Sequence, residues 1–146
     1  MIDTLLIEKK LQQIIEYLDE LRPIARMSPE EVLRDYLKYH TAERIFQLIV
    51  DTIVDINIHL IKEGDFAVPD DFQSTFTTLA DNDILPRDFA EQIAPVVGLR
   101  NRVVHRYETL SRRTFIELLQ KNYPDFGLYI AIVKEYLVQK VLRMRV

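Results

Sequence analysis

An all-α fold, an antiparallel four-helix-type bundle with one or two short extra helices, is what the sequence predicts, and three observations predict it. Apolar residues recur at three- and four-residue steps almost throughout. Residues that start and stop helices stand between those runs. No stretch sustains the two-residue alternation with turn glycines that strands need, and the 146 residues include only three glycines. The length suits one domain, residues 1–146, with a substantial core.

The first helix carries Leu11, Ile14, Ile15, Leu18 and Leu21 on one stripe, and Pro23 is expected to stop it, since proline cannot continue the hydrogen-bond ladder. Ser28-Pro29-Glu30-Glu31 then reads as a helix start: Ser28 caps, Pro29 suits the first turn and Glu31 completes a capping box. The helix is expected to run to about Glu63, with a break near His40-Thr41. Its core stripe is Ile45, Leu48, Ile49, Thr52, Ile53, Ile56 and Leu60, and Gly64 ends it. Pro69-Asp70-Asp71 opens a short helix through about Leu79. After the polar turn Asp81-Asn82-Asp83, Pro86 begins another, with Phe89, Ile93, Val96 and Val97 inward. Pro95 inside that pattern predicts a kink or break, and Leu99, Val103 and Val104 carry the stripe past it. A short helix over 112–120 and a longer one over 125–142, set apart by Tyr123-Pro124, complete the chain.

Composition excludes several function classes. Without cysteine there are neither disulfides nor thiolate metal sites. The apolar run Leu128 to Val133 is far short of the roughly 20 residues a membrane span needs. The start, Met1-Ile2-Asp3-Thr4, lacks a secretory pattern, so the expected location is the cytoplasm. A net charge of -4 argues against broad coating of nucleic acid. Yet five arginines, 100, 102, 106, 112 and 113, face one acid, Glu108, between positions 100 and 113. That cluster is either a local anion site or a solvated basic face.

No phosphate-binding loop, dinucleotide fingerprint or nucleophile elbow is present. Asp51, Asp55 and His59 lie at four-residue steps on one helical stripe. A metal there would need a second ligand pair on a facing helix, and the stripe reads first as a polar face or a buried hydrogen-bond network. Arg100-Asn101-x-x-x-His105-x-Tyr107 is the stronger constellation. Metal-free cleavage of a phosphodiester needs a group of near-neutral pKa to move protons, which histidine supplies. It also needs a fixed cation for the charge that develops at phosphorus, and the planar fork of arginine matches two phosphate oxygens. Asn101 is placed to hold the two in register. As a bare pattern, an arginine and a histidine five apart also occur by chance, with a purely structural histidine.

The segment resembles the motif of the HEPN superfamily, and more narrowly its HepT form, where a tyrosine follows the histidine after one residue: Arg100, Asn101, His105 and Tyr107. Ala42-Glu43-Arg44-Ile45-Phe46-Gln47 with Asp55-Ile56 and His59, Val68-Pro69 with Asp71-Phe72, and Gly98-Leu99 ahead of Arg100 resemble the family in the same order, so the likeness covers about residues 40 to 140. It implies a metal-independent RNA endonuclease toxin without cofactor, working as a homodimer with both motifs lining one cleft. It implies a cognate minimal nucleotidyltransferase antitoxin that transfers AMP onto Tyr107, adding bulk and negative charge where RNA would bind. It implies the roles too. His105 is the general acid and base, Arg100 binds the scissile phosphate, and Asn101 orients one or the other. Arg102 and Arg106 are candidate RNA contacts or else surface salt-bridge partners. Many relatives carry an acid where Arg106 stands, which leaves recognition of Tyr107 by the partner open. Arg44 is expected to pair with Glu43 or Asp51. Two rival readings stay open: a non-catalytic HEPN module that binds nucleotide or a nucleotidyltransferase, and a structural dimerisation domain.

Overall fold

The computed structural model describes residues 3–105 and 110–144, and within them the fold is helical. Seven helices follow in order among the described residues: α1 (Thr4–Ala25), α2 (Pro29–Arg34), α3 (Tyr36–Glu63), α4 (Ser74–Asp81), α5 (Arg87–Ile93), α6 (Val96–Val104) and α7 (Arg112–Met144). The chain adopts the all-α bundle that its periodicity predicts.

The three long helices set the frame. Lys10 on α1 meets Asp55 on α3 at 3.7 Å. The Tyr123 hydroxyl on α7 donates to the Leu18 carbonyl at 3.0 Å, and Gln120 Nε2 donates to the Met27 carbonyl at 2.7 Å. Rising numbers on one helix therefore meet falling numbers on the other, and α1 runs antiparallel to α7. Helix α6 packs on α3 and α7, while α4 and α5 pack on each other. The core between them is aromatic at its centre. Phe46 of α3 packs against Phe115 and Phe126 of α7, with ring centroids 5.4 and 6.1 Å apart. Each such side chain contributes about 1.5–3 kcal/mol by leaving water. One polar node is sealed in this core: Tyr129 donates to Asn57 Oδ1 at 2.6 Å, and Asn57 Nδ2 donates to Thr75 Oγ1 at 3.1 Å.

Several boundaries differ from the sequence expectations, each for a local reason. Pro23 does not stop α1, which continues to Ala25. Proline removes only its own N–H from the ladder, and buried Ile24 draws the last turn onto the core. The break expected near His40-Thr41 falls at Asp35, whose backbone is extended and whose carboxylate accepts from the Leu37 and Lys38 amides. Asp35 is thus a cap between two helices, and Ser28 caps α2 as expected, accepting from the Glu31 amide. The helix expected to open at Pro69 starts later, at Ser74, where the Asp71 carboxylate accepts from the Ser74 amide at 2.7 Å.

Gly64 ends α3, but with a negative φ of −83°, so no left-handed turn requires it. A Cβ there would overlap the Phe66 ring, so a larger residue would require that ring to shift. Pro95 does break the chain between α5 and α6, as expected. Pro124 does not: the two C-terminal helices expected on either side of it form one α7. Phe115, Ile116 and Leu119 before it, and Phe126, Tyr129 and Val133 after it, bury one continuous stripe. That packing outweighs the one lost bond. Val104, expected inward, is exposed, because α6 is leaving the bundle at that point.

Candidate functional site: the Arg100 clamp at the end of α6

Helix α6 is held by its first residues. Pro95 stands at its N-cap, and Val96, Val97 and Leu99 are buried against the bundle. The next residue, Arg100, is thereby fixed at the boundary between core and solvent, with its side chain 24% exposed. Its guanidinium reaches back to α3. Nε donates to Asp51 Oδ1 at 2.8 Å and Nη2 to Asp51 Oδ2 at 3.2 Å, a two-pronged pair in which the plane of the fork is set. Nη1 donates to Asn101 Oδ1 at 3.3 Å. Of the five N–H groups of an arginine, these bonds leave one on each terminal nitrogen for a ligand.

His105 lies one turn further on, as the C-cap of α6, and is exposed. Its backbone N–H donates to the Asn101 carbonyl at 3.0 Å. Asn101 is therefore tied to both neighbours: its side chain accepts from Arg100 and its backbone carries His105. The structure joins Arg100 and Asn101 directly and sets His105 just beyond them. Tyr107 and Arg106 lie outside the described residues.

The other candidates separate. Arg102 is half-buried near the end of α6 and makes no ion pair among the described residues. Among the described residues, the arginines of positions 100–113 turn to different partners. Arg100 serves Asp51, Arg113 pairs with Glu30 and with Glu117, and the Arg112 guanidinium sits 4.9 Å from the centre of the Tyr39 ring. Burial pushes the Tyr39 hydroxyl up to about 12, with Glu43 adding to the shift and Arg112 opposing it.

Arg44 pairs with neither expected acid. It donates to Gln47 Oε1 at 3.3 Å, because Glu43 is taken by His40 at 2.6 Å and Asp51 by Arg100. The Asp51/Asp55/His59 stripe also divides: Asp51 clamps Arg100, exposed Asp55 meets Lys10, and His59 Nε2 is buried with no hydrogen-bond partner among the described residues. Among the described residues, no three His, Asp or Glu side chains converge on a common metal position. Asp51 is the residue whose role sequence reasoning missed. The stripe flagged it, but its partner lies 49 positions away in the chain.

The chemistry available here is that of a fixed cation with two spare donors beside an exposed imidazole. Among the described residues, no helix is long and apolar enough to cross a membrane.

The family described as Ribonuclease HepT-like matches over residues 14–133. A relative from Aphanizomenon flos-aquae named tRNA nuclease HepT is 30% identical over 137 residues, covering 94% of this chain and 93% of its own. A Shewanella oneidensis relative named mRNA nuclease HepT is 27% identical over 88 residues, covering 60% of this chain and 66% of its own. Among solved structures, a tri-AMPylated HEPN toxin from Shewanella oneidensis in complex with MNT antitoxin superposes with a TM-score of 0.81. It covers 92% of this chain and 99% of its own at 22% identity, a likeness of fold.

Proposed function

The chain belongs to the HepT-like ribonuclease family, and from that premise we propose that it is a metal-independent RNA endonuclease, the toxin of a toxin–antitoxin pair. The observation that carries this reading is the Arg100 clamp: a guanidinium oriented by Asp51 and Asn101, with spare N–H donors, one turn from an exposed histidine on the same helix.

In this reading the imidazole of His105 takes the proton of a ribose 2′-hydroxyl. The 2′-oxygen attacks phosphorus and the bond to the 5′-oxygen breaks. A proton returned through the imidazole completes the leaving alcohol, and the other product carries a cyclic phosphate. Arg100 binds two non-bridging oxygens and stabilises the charge that grows on them. Asn101 and Asp51 are positioning residues, since each acts through the guanidinium. Arg102, and Arg106 outside the described residues, supply backbone contacts. The protein acts as one domain, and as a homodimer whose two motifs share a cleft.

The same reading extends to control. A minimal nucleotidyltransferase antitoxin transfers AMP to Tyr107, two positions beyond His105, and the added phosphate and bulk exclude RNA. It is supported by the likeness in fold to an AMPylated HEPN toxin in complex with MNT antitoxin.

Cleavage of RNA by purified protein tests the nuclease directly. Arg100→Ala and His105→Ala should each lower the rate by a factor on the order of 100 or more while the helical circular-dichroism signal and melting temperature hold. Activity should survive excess EDTA, and products should end in cyclic phosphate. EDTA-sensitive cleavage, or an unaffected His105→Ala variant, overturns the reading. A mass increase of one or more AMP groups on Tyr107, after co-production with the antitoxin, tests the control step.

A further inference from the structure

Tyr36, His40, Arg44, Gln47 and Asp51 succeed one another on α3 at steps of four, four, three and four, so they share one face of the helix. None of them is buried: Tyr36 and Arg44 are exposed, and His40, Gln47 and Asp51 are half-buried. The lower end of this face is the Arg100 clamp, through Asp51. At about 1.5 Å per residue, His40 stands roughly 16 Å and Tyr36 roughly 22 Å along the helix from Asp51. That distance spans several nucleotides.

The far end is aromatic. The Tyr36 ring meets His40 edge-on at 4.2 Å, His40 meets Tyr39 at 5.4 Å, and Arg112 lies over Tyr39. Glu43 accepts from or shares a proton with His40 Nδ1 at 2.6 Å, which fixes that ring. Tyr36 is 68% exposed, a large ring left to solvent.

The acids beside this face have partners of their own: Asp51 is engaged by Arg100, Glu43 hydrogen-bonds with His40, and Asp35 caps α3 and meets Lys38. Arg44 has only the neutral Gln47, and neither it nor Arg112 makes an ion pair among the described residues. On a protein of net charge -4, two unmatched guanidiniums beside an exposed aromatic ring are the signature of a single-stranded nucleic-acid groove: phosphate to arginine, base to tyrosine.

Resting on the nuclease reading, we propose that this face of α3 is the substrate track. Single-stranded RNA flanking the scissile linkage runs from the Arg100 clamp along α3, with Arg44 binding a backbone phosphate and Tyr36 stacking a base several nucleotides away.

The test uses the full chain made cleavage-dead by His105→Ala, so that binding is read without turnover. Fluorescence anisotropy with a labelled single-stranded RNA of 12 nucleotides is followed at several salt concentrations. Added Tyr36→Ala should weaken binding by roughly 10-fold, while Tyr36→Phe restores it. Arg44→Ala should weaken binding and flatten the plot of log K against log salt by about 0.7, with Arg44→Lys recovering the slope. A purely structural role for either residue would not move the salt slope. Unchanged affinity and slope in both alanine variants overturn the track. So does unchanged RNA binding together with loss of self-association in sedimentation, or of antitoxin capture, since the face is then a protein interface. If wild-type protein cleaves RNA and these variants bind it normally, only the track falls. If wild-type protein cleaves no RNA and the parent variant binds none, the nuclease reading falls with it.

Discussion

Two of the polar junctions that tie α3 to other helices are built from similar chemistry at different depths. The Asn57–Tyr129–Thr75 node is sealed: Asn57 and Tyr129 are wholly buried and Thr75 is 1% exposed. Tyr129 donates to Asn57, Asn57 donates to Thr75, and Thr75 donates to the Phe72 carbonyl, so each of the three side chains has a partner inside the core. Burial drives the Tyr129 hydroxyl well above its ordinary range, which keeps it a neutral donor. The Asp51–Arg100–Asn101 clamp is two turns away along α3 and only half-buried, and it leaves N–H groups of the guanidinium over. A polar network sealed from water, with its members bonded to one another, holds a fold together. One with a charged valence to spare, at the solvent boundary, is equipped to hold a ligand.

Substitutions should separate the two junctions. Asp51→Asn removes the charge of the clamp but keeps its shape. If Asp51 orients Arg100, cleavage should fall about 10- to 100-fold, chiefly in kcat, an activation cost of about 1.4–2.7 kcal/mol. Thermal melting measured beside it should shift little. A large loss of stability with intact kcat would make the clamp a structural bond.

Asn57→Ala should do the reverse. It leaves the Tyr129 hydroxyl with only the Ile53 carbonyl at 3.4 Å and opens a small void, at about 2–3 kcal/mol in denaturant unfolding. RNA cleavage by the folded fraction should persist. Tyr129→Phe should cost less, about 1 kcal/mol, because the ring packing stays and only Asn57 Oδ1 loses its donor.

The exposed Glu30–Arg113 pair marks the lower limit of the series. Its hydrogen bond to Arg113 holds the Glu30 carboxyl below the usual carboxylate range. A lowered folded-state value stabilises the protein above the unfolded pKa, and that contribution fades as pH falls through the folded value. In Glu30→Gln, melting temperature should fall only slightly near neutral pH, and that small difference should vanish as pH falls through the folded value. A marked neutral-pH loss would show that exposure does not screen this pair.

The particular residues show what could be read from the chain alone. Leu11, Ile14, Leu18 and Leu21, and the α3 stripe of Ile45, Ile49, Ile53, Ile56 and Leu60, are buried where their periodicity puts them. Ser28 and Asp35 show that capping is local chemistry: each side chain accepts from an amide two or three positions further on, a relation within reach of the sequence. The prolines show the limit. Pro95 interrupts a helix and Pro124 does not, although each removes one hydrogen bond. The outcome is set by whether the flanking apolar residues can bury one stripe on a neighbour, which lies elsewhere in the chain.

By itself the sequence determined the all-helical class, the core faces and the order of Arg100, Asn101 and His105, because periodicity, caps and a motif within one helix are relations between near neighbours. Only the tertiary structure decided that Asp51 orients Arg100, that Arg44 meets Gln47 in place of Glu43 or Asp51, and that Asn57 and Tyr129 seal the core. Each of those pairings joins residues on different helices or depends on which partner another helix has taken. The free energy of a hydrogen bond or ion pair is fixed by the distance and burial that packing imposes, and one-dimensional spacing carries neither.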